Sequence, residues 1–202
     1  MMPEDKRTAL LQSTVRAVAK HGMKDVSTRS ISGDAGINDA YIYRFFKDKE
    51  DMLMQAYFLE HDRFLRQIGK TVEALYTGSI TLPFREQCLL VFHSAWRYLI
   101  DTPNVCRFFV YYYHSPNFEK YAREGHRKQV DLIAEHIDCL FDSLEDTEDC
   151  LYALFSLLYT FALQVVNGET LDDEDTWERV SRMLYNTICA QMKHPPEEQE
   201  KG

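Results

Sequence analysis

The 202-residue sequence lacks the features that mark secreted, disulfide-rich or membrane-spanning proteins. Its five cysteines are scattered without a close pair, which argues against a disulfide framework or a zinc site. The N-terminal residues show no positive segment followed by an apolar run, as a secretory signal would. The longest apolar stretch, residues 151–166, contains Ser156, Thr160 and Gln164 and is short for a membrane span. We therefore expect a cytoplasmic protein that does not associate with a membrane.

The sequence also lacks strand-like alternation, internal repeats and recognisable catalytic sets. No nucleophile–base pair, phosphate-binding loop or metal-ligand set is visible, so we predict no catalytic residue, no cofactor and no bound metal. Hydrophobic residues make up 45% of the chain, enough for a buried core. Helical spacing of the apolar residues predicts an all-α protein of about nine helices.

Excess positive charge is also missing, although it is common in proteins that bind nucleic acid. The net charge is −9, but residues 1–55 hold nine Lys and Arg against eight Asp and Glu. Residues 56–202 hold 14 and 24, so the acidic excess lies outside the N-terminal segment. Repulsion between an acidic body and phosphates would confine nucleic-acid contact to one end of the chain.

Residues 27–50 contain the signals of two short helices joined by a tight turn. Ser27 or Thr28 can cap the first helix, and Gly36 can end it in a left-handed conformation. Asn38 can cap the second helix, which continues to about Phe46. This is a helix-turn-helix pattern, in which the second helix enters the major groove of DNA. The predicted apolar core of this head is Leu11, Val15, Val18, Val26, Ile31, Ala35, Ile37, Ile42 and Phe46.

Capping residues, prolines and glycines predict the remaining helix boundaries. A first helix occupies residues 4–21 and stops at Gly22, and a long helix begins at Asp48 and ends in a turn at residues 77–79. The next helices are predicted at 83–100, from 102 onward, and at 115–144 with a break near Gly125. After an acidic link at 145–149, an apolar helix runs to Asn167, and a last helix begins at 172. We predict a DNA-binding head at 1–47, a body at 48–194 and a flexible tail at 195–202.

The head resembles the tetracycline-repressor (TetR) family of bacterial transcriptional regulators. The family pattern is matched by Ser27-Thr28, by residues 31–37, by residues 38–46 and by residues 47–53. The resemblance covers about the first quarter of the chain. Three positions depart from it: Ser32 replaces alanine, Ala40 replaces glycine, and Tyr41 stands where a small hydroxyl residue usually approaches phosphate.

The helix pattern and the resemblance together predict the residues that contact DNA. Arg44 and Tyr41 point outward if Ile42 points inward, and Arg44 can bind either a guanine edge or a phosphate. Asn38 and Asp39 are first of all capping residues, and Tyr43 is expected to pack partly in the head while its hydroxyl contacts a backbone phosphate. Lys47 and Lys49 are either solvated or bound to phosphate, and the resemblance favours phosphate for Lys49. The predicted set is Thr28, Arg29, Asn38, Asp39, Ala40, Tyr41, Tyr43, Arg44, Lys47 and Lys49.

Aromatic residues concentrate between positions 92 and 114. Such stripes are usually plain core, but tyrosines need hydrogen-bond partners when buried, and the resemblance implies an effector pocket in the body. The predicted ligand-binding residues for a small amphipathic or aromatic effector are Phe92, His93, Trp96, Phe109, Tyr112, Tyr113 and Gln164. His93 and His114 can make polar contacts with the ligand or be structural, and a structural role is favoured. We expect His21, His61 and His126 to be solvated.

The resemblance also implies a homodimer in which the last two helices pair with their two-fold mates. Ser156, Thr160 and Gln164 form a polar stripe that faces this interface, lines the pocket or bonds back to its own helix. The predicted interface residues are Tyr152, Phe155, Tyr159, Trp177, Val180, Leu184 and Ile188. The implied function is that of a ligand-responsive repressor on a palindromic operator. The alternatives are a regulator of the same fold without a small-molecule effector, or an enzyme built on the helical body.

Overall fold

The computed structural model describes residues 3–77 and 82–196, and within these ranges the chain forms nine α-helices and no strand. The prediction of an all-α fold is confirmed. The residues Gly78 and Ser79 of the predicted turn, and residues 197–202 of the predicted tail, lie outside this description. The helices are α1 (Pro3–Asp25), α2 (Thr28–Asp34), α3 (Ile42–Phe45), α4 (Lys49–Tyr76), α5 (Phe84–Asp101), α6 (Pro103–Tyr113), α7 (Arg123–Ile137), α8 (Leu144–Val166) and α9 (Glu174–Gln191).

The chain divides into two compact units. The first comprises Met1–Arg66 and Leu99–Glu124, and the second comprises Gln67–Tyr98 and Gly125–Gly202. The segment predicted as the DNA-binding head therefore shares a unit with the first part of α4 and with α6.

In the first unit, α1 packs against α2 and α6. Gly22 adopts φ 75° within α1 and kinks it, at the position where the sequence predicts a helix stop. The predicted core of the head is buried except for Ala35, which is half-buried. The head depends on that core, because α2 and α3, with seven and four residues, are too short to be stable alone.

The segment predicted as one helix over residues 115–144 differs from that prediction. Its irregular part is a π-helical turn at Phe118–Ala122, whereas Gly125 lies inside the regular α7. The helix ends at Ile137 and a 3₁₀ turn follows at Asp138–Leu140. A single glycine costs about 1 kcal/mol in a helix, which tertiary packing can override.

The acidic residues 145–149 were predicted as a link between helices, and this was wrong. They form the first turns of α8, which begins after the N-cap Ser143. Ser143 Oγ accepts a hydrogen bond from the Asp146 backbone N–H at 3.1 Å. Acidic side chains are favourable at a helix N-terminus because the unpaired N–H groups there carry partial positive charge.

In the second unit, α7 and α8 share a small apolar core, and α8 packs against α9. The α7–α8 core consists of Val130, Ala134 and Leu151 with partly buried residues around it. The Arg97 guanidinium in α5 binds both carboxylate oxygens of Asp172, each at 2.9 Å. These contacts hold the loop before α9 against α5.

Among the described residues, α8 is the one helix that is long and apolar enough to cross a membrane, judged by length and composition alone. The apolar stretch at 151–166 was predicted to be too short to cross a membrane. The helix that contains this stretch is longer, with 23 residues. Only 22% of its most apolar window is buried within the subunit. An apolar surface of this kind calls for a partner.

Burial also corrects two predictions about individual side chains. His61 and His126 were expected to be solvated, but they are 1% and 5% exposed, whereas His21 is exposed. Beside His126 the charged residues Arg127 and Lys128 are exposed, whereas beside His61 the carboxylate of Glu60 is itself buried and pairs with Arg63 at 2.6 Å. Cys88 and Cys106 are buried, and burial raises the pKa of each thiol to about 12. Cys139 is exposed.

The carboxylate of Asp34 holds α2 against α1. Its Oδ2 accepts from Ser13 Oγ at 2.8 Å and from the Arg16 guanidinium at 3.0 and 2.7 Å. The hydrogen bond from Ser13, with the guanidinium beside it, lowers the pKa of Asp34 below the ordinary 3.8. A depressed pKa stabilises the fold above the unfolded-state value, and that contribution is lost as the pH falls through the folded-state value.

Asp34→Asn should therefore lower the free energy of unfolding by about 1 kcal/mol at pH 7, because the Arg16–Asp34 pair is half-exposed and screened by solvent. The difference from the wild type should shrink as the pH falls below 3.8. Denaturant unfolding followed by circular dichroism at several pH values measures this. A difference that stays constant across the acid range would contradict the role of the carboxylate charge.

Candidate nucleic-acid interface

The first helix of the helix-turn-helix is fixed by a reciprocal cap. Ser27 Oγ accepts from the Ser30 backbone N–H at 3.1 Å, and Ser30 Oγ accepts from the Ser27 backbone N–H at 3.1 Å. This capping box satisfies two N–H groups that the helix itself leaves unbonded. It places Thr28, half-buried, and Arg29, exposed, in the first turn of α2.

The turn between the two helices is formed as the sequence predicts. Gly36 has φ 64°, and the Ile37 backbone N–H donates to the Ser32 carbonyl at 2.9 Å. Asn38 Oδ1 then accepts from the Ala40 backbone N–H at 2.9 Å. A 3₁₀ turn at Asp39–Tyr41 leads directly into α3, so the recognition element is shorter and tighter than one regular helix.

One side of this element is buried and the other side is open. Ile42 and Phe46 are at most 2% exposed, whereas Asn38, Asp39, Ala40, Tyr43, Arg44 and Lys47 are exposed. Tyr41 is half-buried. The expected packing of Tyr43 in the head was wrong, because this side chain is 67% exposed. The open side therefore carries hydrogen-bonding groups, the positive charges of Arg44 and Lys47 and the negative charge of Asp39. Its positive charges and donors suit phosphates and base edges.

The start of α4 is tied to the rest of the head. Asp48 Oδ1 caps this helix by accepting from the Asp51 backbone N–H at 2.8 Å. The Lys49 ammonium donates to the Val26 carbonyl at 3.2 Å, and its side chain is half-buried. The sequence left solvation or phosphate contact open for Lys49. The structure gives its ammonium a structural hydrogen bond that neither alternative included.

Two basic residues near the start of α1 contact the recognition element, and the sequence reasoning missed both. The Lys6 ammonium lies 4.2 Å from the centre of the Tyr41 ring. The Arg7 guanidinium lies 5.9 Å from the centre of the Phe46 ring and donates to Gln55 Oε1 in α4. No local pattern links position 6 to position 41, so only the tertiary structure shows the pair.

The polar departure at position 32 has a local explanation. Ser32 is buried, and its hydroxyl donates to the Arg29 carbonyl at 3.1 Å. A serine hydroxyl bonded to its own helix can replace alanine in a packed position without leaving an unpaired polar group.

The predicted ligand-binding residues are divided between the two units. Phe109, Tyr112 and Tyr113 belong to the first unit, whereas Phe92, His93, Trp96 and Gln164 belong to the second. Trp96 is buried, with its ring centre 6.0 Å from that of Trp177. His93 is exposed, and its ring centre lies 4.9 Å from that of Trp177 in an edge-to-face arrangement.

In the first unit the aromatic residues of α4, α6 and the π-helical turn converge. This group, called here the aromatic cluster, consists of Tyr57, His61, Phe64, Phe109, Tyr112 and Phe118. The centre of the Tyr57 ring lies 5.2 Å from the ring centre of Tyr112 and 5.5 Å from that of Phe118. The Tyr112 hydroxyl is buried and makes no hydrogen bond within the described part of the chain. Its burial raises the pKa of Tyr112. Tyr113 packs against Phe118 at 4.5 Å.

The predicted dimer-interface residues also divide. Val180, Leu184 and Ile188 are at most 6% exposed within one subunit, so their assignment to the interface was wrong. Their helical stripe faces the core, as α8–α9 packing requires. Trp177 is half-buried against α5, and Tyr152 and Phe155 are half-buried against the α7–α8 core. Tyr159 is half-buried and stacks on Phe155 at 6.1 Å.

A capped helix, a glycine turn and a second element with one open polar face define a helix-turn-helix DNA-binding protein. Residues 10–56 match the family described as bacterial regulatory proteins, tetR family. The chain is 23% identical over 150 residues to an HTH-type transcriptional regulator of Haemophilus influenzae, covering 74% of this chain and 77% of that one.

Solved structures share the fold along nearly the whole chain. A tetR family regulator from Shewanella sp. PV-4 has a TM-score of 0.71 at 18% identity, covering 94% of this chain and 99% of its own. One from Marinobacter aquaeolei VT8 has a TM-score of 0.65 at 21% identity, covering 91% and 95%. The N-terminal segment of the chain is thus a helix-turn-helix that matches the tetR family, and the chain as a whole shares the fold of solved TetR-family regulators.

Proposed function

We propose that the chain is a TetR-family transcriptional regulator, a repressor that binds a palindromic operator as a homodimer and is released by a small amphipathic or aromatic effector. The observation that carries the proposal is the two-sided recognition element, anchored through Ile42 and Phe46 and open at Tyr43 and Arg44. A rigid mount with exposed donors is what base readout requires. We propose a cytoplasmic location and no catalytic activity for the chain.

The proposed DNA contacts fall into two kinds. Arg44 and Tyr43 face the groove and read bases, with Asn38 and Asp39 holding the turn that carries them. Thr28, Arg29 and Lys47 bind phosphates, as does the N–H-rich start of α2. Lys49 affects DNA binding indirectly, by stabilising the head, because its ammonium donates a hydrogen bond to the Val26 carbonyl.

Arg44→Ala should relax sequence preference at one operator position, at a cost of about 1–3 kcal/mol against the preferred base. Lys47→Gln should weaken binding to all sequences. It should also make the slope of log affinity against log salt concentration, called here the salt slope, shallower by about one. Fluorescence anisotropy with duplexes varied one base pair at a time, at several salt concentrations, measures both. Uniform weakening by Arg44→Ala would instead make this arginine a phosphate contact.

The proposed dimer interface is the outer face of α8. This helix is strongly apolar yet little buried within its own subunit, and Phe155 and Tyr159 stack along it. Ser156 and Thr160 are exposed on the same helix, where they can hydrogen-bond across a two-fold axis. A homodimer would set two recognition elements about 34–36 Å apart, one turn of DNA.

Thr160→Arg should convert the dimer into a monomer, because two like charges would meet across the axis and lose their solvent. Since Thr160 is exposed in the subunit, the fold itself should survive. Light scattering after size exclusion gives the mass, and Glu135→Arg on the exposed side of α7 is the control. An unchanged dimer in Thr160→Arg would remove this face from the interface.

The proposed effector site includes the aromatic cluster, where the buried Tyr112 hydroxyl needs a hydrogen-bond partner. An effector with an apolar ring or chain and one polar group would supply it. Phe108 and Phe109 belong to α6, which also packs on α1 of the head. An effector that favours one packing of α6 over another would thereby shift the head, provided that it binds the two packings unequally.

Tyr112→Phe should raise the melting temperature without effector, because it removes a buried hydroxyl that has no partner. It should also weaken the stabilisation that an effector gives. A thermal-shift screen of small aromatic and amphipathic compounds against both proteins tests this. If no compound stabilises the wild type, the cluster is filled core and the regulator works without a small-molecule effector; equal shifts in both proteins would exclude Tyr112 from the site.

A further inference from the structure

We propose that Lys6 and Tyr41 form a single phosphate-binding element, in which Lys6 positions the Tyr41 ring and shares the phosphate that the Tyr41 hydroxyl reaches. This inference rests on the DNA binding described above and extends it to a residue outside the helix-turn-helix. The observation behind it is the Lys6 ammonium 4.2 Å from the centre of the Tyr41 ring.

Tyr41 occupies a special place in the head. It directly precedes α3, at the position where the family pattern has a small hydroxyl residue near phosphate. A tyrosine carries its hydroxyl farther from the backbone, on a side chain that rotates about two bonds. Such a hydroxyl can serve one fixed phosphate only if the ring is held, and the cation above its face holds it.

The ammonium keeps donors for a second acceptor. Lysine has three N–H donors, and attraction to a ring face is electrostatic and directed to the whole face. Lys6 is half-buried, and a lysine of this kind covers its aliphatic stem while its charged end stays at the surface. Its ammonium lies over the face of the Tyr41 ring that carries the hydroxyl, and a phosphate group offers oxygens to both donors.

The neighbouring Arg7 provides a matched contrast. Its guanidinium also lies over an aromatic ring of the head, that of Phe46, but it donates to Gln55 and Phe46 is buried. Arg7 therefore joins α1 to the end of α3 and to α4. In the proposal the two adjacent basic residues have different tasks, because Lys6 binds phosphate whereas Arg7 links the helices of the head.

The test compares Lys6→Gln, Lys6→Arg and Arg7→Met on one duplex that the wild type binds. Lys6→Gln should reduce the salt slope by about 0.9, so that its affinity loss between 50 and 200 mM salt is about threefold smaller. Lys6→Arg should restore the slope, because it keeps both the charge and the ring contact. Arg7→Met should lower the melting temperature and leave the slope unchanged.

Tyr41→Leu completes the test by removing the ring. If the pair acts as one element, Lys6→Gln should change the slope much less in the Tyr41→Leu protein than in the wild type. Additive effects would overturn the shared element. An unchanged slope in Lys6→Gln with a lowered melting temperature would make Lys6 purely structural. Failure of the wild type to bind any duplex would instead refute the DNA-binding function on which the inference rests.

Discussion

The burial of Ile42 and Phe46 is the constraint on which the DNA-binding head depends. The helix α3 has four residues, far below the length at which a helix is stable alone, so its conformation depends on the burial of these two side chains within the head. That packing leaves Tyr43 and Arg44 on the open side. The caps at Ser27 and Asn38 satisfy backbone groups that a short helix cannot pair internally.

The aromatic cluster lies in the same compact unit as this head, and α6 belongs to both environments. Its residues Phe109 and Tyr112 enter the cluster, and the helix also packs on α1. Well-packed cores adopt discrete arrangements and resist gradual deformation, so a change of packing in the cluster can alter the packing of α6 on α1. In our proposal the buried Tyr112 hydroxyl is where an effector makes its differential contact.

Local signals in the sequence predicted the caps, the glycine turn and most helix starts, because a cap or a left-handed glycine depends on neighbouring residues. They failed where tertiary contacts decide. The sequence could not show that Lys6 reaches Tyr41, that Lys49 binds the Val26 carbonyl, or that Val180 and Leu184 face inward. An apolar stripe on a helix marks a buried face and does not say whether the partner belongs to the same subunit. The direct DNA, effector and dimer contacts stay predictions.

The central claim is that two copies of the segment around α3 read a two-fold-symmetric DNA site. Selection of duplexes from a random pool by the wild-type protein, followed by sequencing, tests it most directly. We expect the wild type to select a palindrome whose half-site centres lie about 10–10.5 base pairs apart. The Arg44→Ala variant should select the same palindrome with the base preference relaxed at one position of each half-site. Enrichment of a single asymmetric site, or of none, would contradict it.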